Sequence, residues 1–353
     1  MKLRIELVRG RLRAPFASGS GSITSRELLL VKLEDREGRI GYGEAAPLPV
    51  YDGVTTDDVR AALEDCRPTL AEAAALERSA DRATLLAECA RLAVLSQAVA
   101  AIDLALWDLA GKRARRPVWR LLGAAAGAAV EVNATIAAPD RAGAARAAGT
   151  ARAAGFRCVK VKVAIGDDAG RLAAVRAAAG PQTAIRLDAN GAWSVDEAIA
   201  ALRALEPIGI ELCEEPVAGV DAVADVYSQA RVTISIDETA AALGALEERV
   251  CDAVCLKIAR CGGISGVIDA AQRARAAGYE VYLASTLDGP LGIAAALHAA
   301  AAIGPDRSCG LATLGLFERA VDPLPAIDGR IAVPAGPGLG DGLLSWYEGS
   351  VPR

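Results

Sequence analysis

Cys158-Val159-Lys160-Val161-Lys162-Val163 is the stretch from which the fold can be read. Its two lysines stand two apart in an apolar run, and side chains alternate along a strand, so both ammonium groups share one face. Three later runs of strand character each end in an acid: Ile185-Arg186-Leu187-Asp188, Ile210-Glu211-Leu212-Cys213-Glu214 and Ile234-Ser235-Ile236-Asp237. A fifth, Val254-Cys255-Leu256-Lys257, ends in a lysine. Cation, acid, acid, acid, cation follow one another at steps of about 20 to 28 residues, one strand-plus-helix unit per step.

Working outward, strand candidates fall at 131–136, 157–163, 184–188, 209–213, 233–237, 252–258, 279–285 and 309–313, with Ala/Arg-rich helical runs between them. Ser194-Val195-Asp196-Glu197 has the form of a capping box that starts one such helix. An open doubly wound sheet would place its ligand where the strand order reverses, whereas here several consecutive strands end in charge. That distribution predicts an α/β fold of the triosephosphate-isomerase kind, a modified and slightly abbreviated barrel with a weak eighth helix.

Before the barrel, residues 2–8 and 27–33 read as two strands. The segment Pro15 to Ser25 between them, rich in Gly and Ser, reads as a mobile surface loop, either a linker or an active-site lid. Helices are expected at 56–66, through 68–94 and at 96–112, the last with Ala101, Leu104, Ala105 and Asp108 on an inward face. Gly41-Tyr42-Gly43-Glu44-Ala45-Ala46 superficially fits a dinucleotide fingerprint, but Pro47 and Pro49 stand where a helix should open. The expected domains are an N-terminal α+β portion over 1–123, the barrel over 124–315, and a C-terminal segment, 316–353, that packs back on the first.

Composition narrows the function. A formal charge of −5 and 4% aromatic residues leave neither a basic footprint nor stacking platforms for nucleic acid. The N-terminus lacks a signal-peptide core, and the longest apolar run, Gly292 to Gly304, is too short to span a bilayer, so a soluble cytoplasmic protein with no membrane contact is expected. The eight cysteines lie in apolar patterns and read as reduced core thiols. Cys251 and Cys255 lack the second pair of a zinc site.

In a barrel the C-terminal strand ends share one mouth, so Asp188, Glu214 and Asp237 should form a cluster of three carboxylates. Such a cluster repels itself unless a cation intervenes, and an all-oxygen set selects a hard ion, Mg²⁺ before Zn²⁺. Lys160, Lys162 and Lys257 would flank the metal, where a neighbouring cation eases proton loss and makes a usable base. Metal plus opposed lysines suits the removal of a proton next to a carboxylate, with the enediolate stabilised on Mg²⁺.

These residues resemble the muconate-lactonising branch of the enolase superfamily. The likeness rests on Lys160-Val161-Lys162, Asp188-Ala189-Asn190, Glu214-Glu215-Pro216, Asp237-Glu238, Leu256-Lys257-Ile258 with Gly262-Gly263, and Ala101-Ile102-Asp103-Leu104-Ala105-Leu106-Trp107-Asp108 with Leu121-Leu122-Gly123. It implies a capping α+β domain on a (β/α)7β barrel, with Mg²⁺, or Mn²⁺ as a substitute, on Asp188, Glu214 and Asp237. Lys162 would be the principal acid/base, Lys160 would help neutralise the substrate carboxylate, and Lys257 would act from the opposite face. Ser20, Asn190, Ser285 and Asp288 are the candidate substrate contacts. The expected partners are a small-molecule carboxylate and further copies of the chain as a homo-oligomer.

Within the branch, mandelate-racemase-type members use a histidine after the seventh strand. The single histidine here, His298, sits inside an apolar helical run. Dipeptide epimerases carry an Asp-x-Asp after the eighth strand, whereas Cys309-Gly310-Leu311-Ala312-Thr313-Leu314 contains no acid to pair an ammonium. Ser285-Thr286-Leu287-Asp288, Gly292-Ile293-Ala294-Ala295 and Cys309-Gly310-Leu311 resemble o-succinylbenzoate synthases, which dehydrate a cyclohexadiene carboxylate in menaquinone biosynthesis. An N-acylamino-acid or dipeptide racemase is the second reading and muconate cycloisomerisation the third. A catalytically silent binding barrel would leave the charged strand ends without a purpose.

Overall fold

Val159, Val161, Ile185, Leu187, Cys213, Ile234, Ile236, Val254 and Leu256 are all buried against Ala144, Ala148, Leu172, Val175, Leu202 and Val223 of the surrounding helices. Because strand side chains alternate, this outward apolar set commits the lysines and acids between them to the barrel interior. The computed structural model describes residues 1–19, 21–73, 79–125 and 129–348.

The N-terminal layer is an antiparallel sheet of β1 (Lys2–Ser18), β2 (Gly21–Glu34) and β3 (Ile40–Ala45). α1 (Pro49–Asp52), α2 (Thr56–Asp65), α3 (Arg67–Glu72), α4 (Ser79–Ala93) and α5 (Ser96–Ala114) follow, with α2, α3 and α5 packed on the sheet and α4 against α2 and α5. The segment expected as a loop is instead a hairpin tip: Phe16 pairs with Ile23, Ala17 with Ser22 and Ser18 with Gly21. Cross-strand pairing outweighs the low strand propensity of Gly and Ser there, and a register shift between Arg11 and Phe16 sets the tip off from the body of the hairpin. The helix expected through 68–94 breaks into α3 and α4, with 74–78 outside the described residues. Gly41 to Ala45 lie in β3 rather than in a phosphate loop. In α5, Ala101, Leu104, Ala105 and Asp108 are buried as expected, together with most of the helix.

The chain continues through α6 (Val118–Leu121), β4 (Ala129–Glu131), β5 (Ala134–Ile136), α7 (Arg141–Ala153), β6 (Cys158–Lys162), α8 (Asp168–Ala179), β7 (Ala184–Asp188), α9 (Val195–Leu205), β8 (Ile210–Glu214) and α10 (Val220–Tyr227). It completes the barrel with β9 (Thr233–Ile236), β10 (Ala253–Leu256), α11 (Ile258–Cys261), α12 (Ile264–Ala276), β11 (Glu280–Leu283) and α13 (Pro290–Ile303). Strands β5 to β11 form one parallel sheet in chain order. Ser194 and Glu197 form the expected capping box at α9.

The predicted strand 309–313 reduces to Cys309 and Gly310, which bridge Val132 on one edge and Ala284 on the other. Hydrogen bonds from Asn133 N to Cys309 O (2.9 Å) and from Gly310 N to Leu283 O (2.7 Å) close the ring. The expected strand 131–136 splits, because β4 pairs antiparallel with β12 (Arg330–Ala332) while β5 joins the barrel. The tail also reaches the N-terminal layer: Phe317 bridges Leu12, Leu339 N donates to Asp108 Oδ1 (2.9 Å), and Tyr347 hydrogen-bonds Glu44. No helix among the described residues is long and apolar enough to cross a membrane.

Candidate active site

Parallel pairing sets Lys162 beside Asp188, and Asp188 beside Glu214. Glu214 in turn pairs with Ser235, so Asp237 projects from the same face one pleat further on. Lys257 follows β10 and caps α11. These five charged side chains are buried, and so is Lys160 on β6.

Lys160 Nζ lies 2.7 Å from Asp188 Oδ2 and 2.6 Å from Glu214 Oε1. Lys162 Nζ donates to Asp188 Oδ2 (2.5 Å) and to Asn190 Oδ1 (2.8 Å). Lys257 Nζ donates to Asp237 Oδ2 (2.5 Å) and to the Tyr51 hydroxyl (2.9 Å), which donates onward to Asp237 Oδ1 (2.8 Å). The Tyr282 hydroxyl donates to Glu214 Oε2 (2.8 Å) and lies 2.9 Å from Ser235 Oγ.

Burial disfavours a charge, so pairing decides the protonation of Asp188, Lys160 and Lys257. Burial pushes the Asp188 carboxyl up, yet Lys160 and Lys162 outweigh it and hold Asp188 below its ordinary value. Burial likewise lowers Lys160 and Lys257, but Asp188 and Glu214 in the first case, and Asp237 in the second, hold them above the usual lysine value. The two lysines are thus held as ammonium groups, in keeping with the electrostatic roles expected of Lys160 and Lys257 beside a base at Lys162. A divalent cation would compete for the same carboxylate oxygens and weaken that hold.

The donor set fits such an ion. Oxygens of Glu214 and Asp237 lie with Cys255 Sγ within 4.8 Å of one another, while Asp188 shares the Lys160 ammonium with Glu214. Cys255 thus stands in that triple where Asp188 was expected, and Asp188 Oδ2 is drawn to Lys160 and Lys162. Burial keeps the Cys255 thiol well above its ordinary value, so carboxylate oxygen dominates the set. That chemistry suits Mg²⁺. The eight cysteines are all free thiols, as expected.

Above the charges lies a cleft at the mouth of the barrel. Phe16, Ile23, Leu48, Val50 and Leu287 give it apolar walls, and Thr135, Lys160, Lys162, Lys257, Ser285 and Thr313 bring polar groups to it. None of the described lining residues is acidic. The hairpin tip rests on the turn after β7, since a Cβ on Gly19 would collide with Ala189 O.

Of the predicted contacts, Asn190 and Ser285 line the cleft, and Ser285 Oγ is 2.8 Å from Thr313 Oγ1. Asp288 does not line it. Leu287 adopts φ +58°, which turns the chain, and Asp288 lies behind the wall, bonded to Thr286 and facing Arg26 and Glu44. Ser20 lies outside the described residues, while its neighbours Ser18 and Gly21 line the cleft. Sequence reasoning missed Tyr51 and Tyr282. The parity of Tyr282 with Ala284 in the last barrel strand was the available signal for one; only the flanking Pro47 and Pro49 marked the other.

Residues 2–123 match the family described as mandelate racemase/muconate lactonizing enzyme, N-terminal domain, and residues 142–343 match enolase C-terminal domain-like. A hydrophobic dipeptide epimerase of Enterococcus faecalis is 30% identical over 308 residues, covering 83% of this chain and 84% of that protein. An o-succinylbenzoate synthase of Mycobacterium tuberculosis is 40% identical over 216 residues, covering 58% and 64%. The solved structure of a dipeptide epimerase from Enterococcus faecalis V583, complexed with Mg and the dipeptide L-Leu-L-Tyr, superposes with a TM-score of 0.87 at 27% identity over 96% of this chain and 98% of that one. The chain therefore belongs to the muconate-lactonizing branch of the enolase superfamily and is an enzyme of the lyase/isomerase kind.

Proposed function

We propose that the enzyme removes the proton α to a carboxylate and dehydrates a cyclohexadiene carboxylate, the o-succinylbenzoate synthase reaction of menaquinone biosynthesis. The observation that carries this reading is the charge of the cleft: three lysines line it, and no described lining residue is acidic. Such a site favours a substrate with carboxylates and no ammonium, because a desolvated ammonium needs a partner. The 40% identity to an o-succinylbenzoate synthase supports the same choice.

Lys162 takes the α-proton, breaking the C–H bond, and returns it to the departing hydroxyl as the C–O bond breaks, so that water leaves. Both transfers occur on one face of the substrate. Lys257, from the far side of the cleft, remains a cation and stabilises the negative charge that develops between them. Lys160 neutralises the substrate carboxylate, while the apolar walls and the hairpin tip exclude water. Bound by Asp188, Glu214 and Asp237, Mg²⁺ would supply positive charge for the carboxylate as it gains electron density.

Racemisation of an N-acylamino acid is the second reading. It is favoured by the positions of Lys162, which ends β6, and Lys257, which follows β10; both line the cleft, as a two-base mechanism requires. The deciding experiment incubates the enzyme in heavy water with the cyclohexadiene precursor, an N-succinylamino acid and an unacylated dipeptide, side by side. Loss of water from the first with little turnover of the others is expected. Faster epimerisation of the free dipeptide would refute the argument from cleft charge.

A further inference from the structure

Asn190 meets a donor at one end of its amide and an acceptor at the other. Its Oδ1 accepts from Lys162 Nζ (2.8 Å), and its Nδ2 donates to Glu238 Oε1 (2.9 Å). A carboxylate can only accept and an ammonium can only donate, so a single orientation of the amide satisfies both. The backbone reinforces that placement: Asn190 takes φ +48°, a conformation that asparagine tolerates, and its N–H donates to Asp188 Oδ1 (3.0 Å). Glu238 gains little for itself, because its Oε2 is buried without a hydrogen-bond partner, an arrangement that costs free energy.

From this chain of contacts we propose that Glu238 is a positioning residue for the Lys162 base, acting through the Asn190 amide. The inference rests on the reading of Lys162 as the group that removes the α-proton. A neutral lysine amine has two N–H groups and one lone pair. Asp188 Oδ2 and Asn190 Oδ1 are two acceptors for those two N–H groups, which leaves the lone pair for the cleft. An inverted Asn190 would instead offer an N–H to that lone pair and quench it. Glu238 prevents the inversion. Asn190, expected from sequence to hold substrate, thus serves the base.

Glu238→Gln tests this with little change of shape, because a glutamine can face Asn190 with either its oxygen or its nitrogen and no longer selects one orientation. The probe is each enantiomer of an N-succinylamino acid in heavy water, with α-proton exchange followed by proton NMR. Lys162→Ala and Lys257→Ala first assign each enantiomer to its lysine. Glu238→Gln should slow exchange on the Lys162 face by roughly tenfold to a hundredfold, part of the 10²–10⁴ that a positioned base supplies. Exchange on the Lys257 face, whose lysine feels Glu238 through its charge and not through the Asn190 amide, should change less than exchange on the Lys162 face.

Glu238→Asp, still an acceptor only, should recover part of the loss, and Glu238→Gln added to Asn190→Ala should cost nothing further. Equal slowing on both faces, or additive loss in the double variant, would overturn the inference. A second readout needs no substrate. The Asn190 side-chain amide protons should be protected from solvent exchange in the wild-type protein and lose protection in Glu238→Gln; their absence of protection in the wild type would overturn the inference by itself. Should the wild type exchange neither enantiomer, as the synthase reading allows, the same variants are read on dehydration of the cyclohexadiene precursor, where an unchanged rate in Glu238→Gln would overturn the inference, and the amide measurement still decides whether Glu238 orients Asn190.

Discussion

Acidification from pH 7.5 to about 4 should remove a defined amount of stability at His298, and the structure gives both its sign and its size. This lone histidine lies in α13, fully buried, with Nδ1 3.3 Å from Trp119 N and Nε2 3.2 Å from Leu339 O. The backbone N–H of Trp119 demands an acceptor, and the Leu339 carbonyl demands a donor, so the neutral tautomer protonated on Nε2 is the one that fits. A proton on Nδ1 would set two donors against each other. Burial lowers the imidazole from its ordinary 6.5 to about 4. The unfolded chain therefore binds a proton between those values that the folded chain refuses. The stabilisation is complete above pH 6.5 and is lost as pH falls toward 4, a gap worth roughly 3 kcal/mol.

Because the chain has one histidine, a protein free of any affinity tag labelled with ¹³C-histidine gives one imidazole signal, and that signal should stay unshifted from pH 8 to about 5. Urea denaturation of the wild type and of His298→Gln should show the wild type losing the extra stability over that window. A midpoint above about 6 would refute the placement, and with it the conclusion that this histidine is a packing residue rather than a catalyst.

Chelation should abolish turnover and added Mg²⁺ restore it, and Asp237→Asn should weaken Mg²⁺ binding by isothermal titration at least tenfold, about 1.4 kcal/mol. Lys162→Ala should reduce dehydration by about 10² or more, while Lys257→Arg, which keeps a cation on its side, should leave a measurable rate. Shortening the hairpin tip between Ser18 and Ser22 should damage turnover far more than melting temperature, because the tip covers the cleft and adds little to the core; unchanged kinetics would make it a plain connection. Gly263→Ala places a Cβ at φ +102° only 2.6 Å from Asp103 Cβ, and the melting temperature should fall by several degrees, for a loss of about 2 kcal/mol.

The charged strand ends were legible because two regularities act together. Strand side chains alternate with period two, and parallel neighbours in register carry residues at equivalent positions to one rim, so Lys162, Asp188 and Glu214 had to converge once the strands were recognised. The hairpin tip was illegible because its order comes from pairing between Phe16 and Ile23 and from the turn beneath Gly19, and neither partner is encoded in the Gly/Ser composition. Asp288 was misplaced for a related reason: the left-handed turn at Leu287 breaks the parity that carries Ser285 into the cleft. Tyr51 belongs to the N-terminal layer, and its role depends on how that layer sits over the barrel, which no local pattern states.

The same distinction bears on substrate. Superposition on a dipeptide epimerase with a TM-score of 0.87 reports that the backbones agree, and one backbone serves many reactions in such barrels. Selection between an ammonium-bearing dipeptide and a dicarboxylate is made by few side chains. Here the segment that closes the barrel brings Gly310 and Thr313 to the cleft, and Thr313 is bonded to Ser285 rather than offering a charge. A free dipeptide would bring its ammonium to a cleft whose described lining offers no acid, since the carboxylates beneath it are already paired with Lys160, Lys162 and Lys257, and the desolvated charge would lack a partner. An acyl or succinyl group in the same place brings no positive charge and, in the succinyl case, a carboxylate the lysines attract. Charge at the cleft therefore weighs more in this choice than likeness of the whole chain.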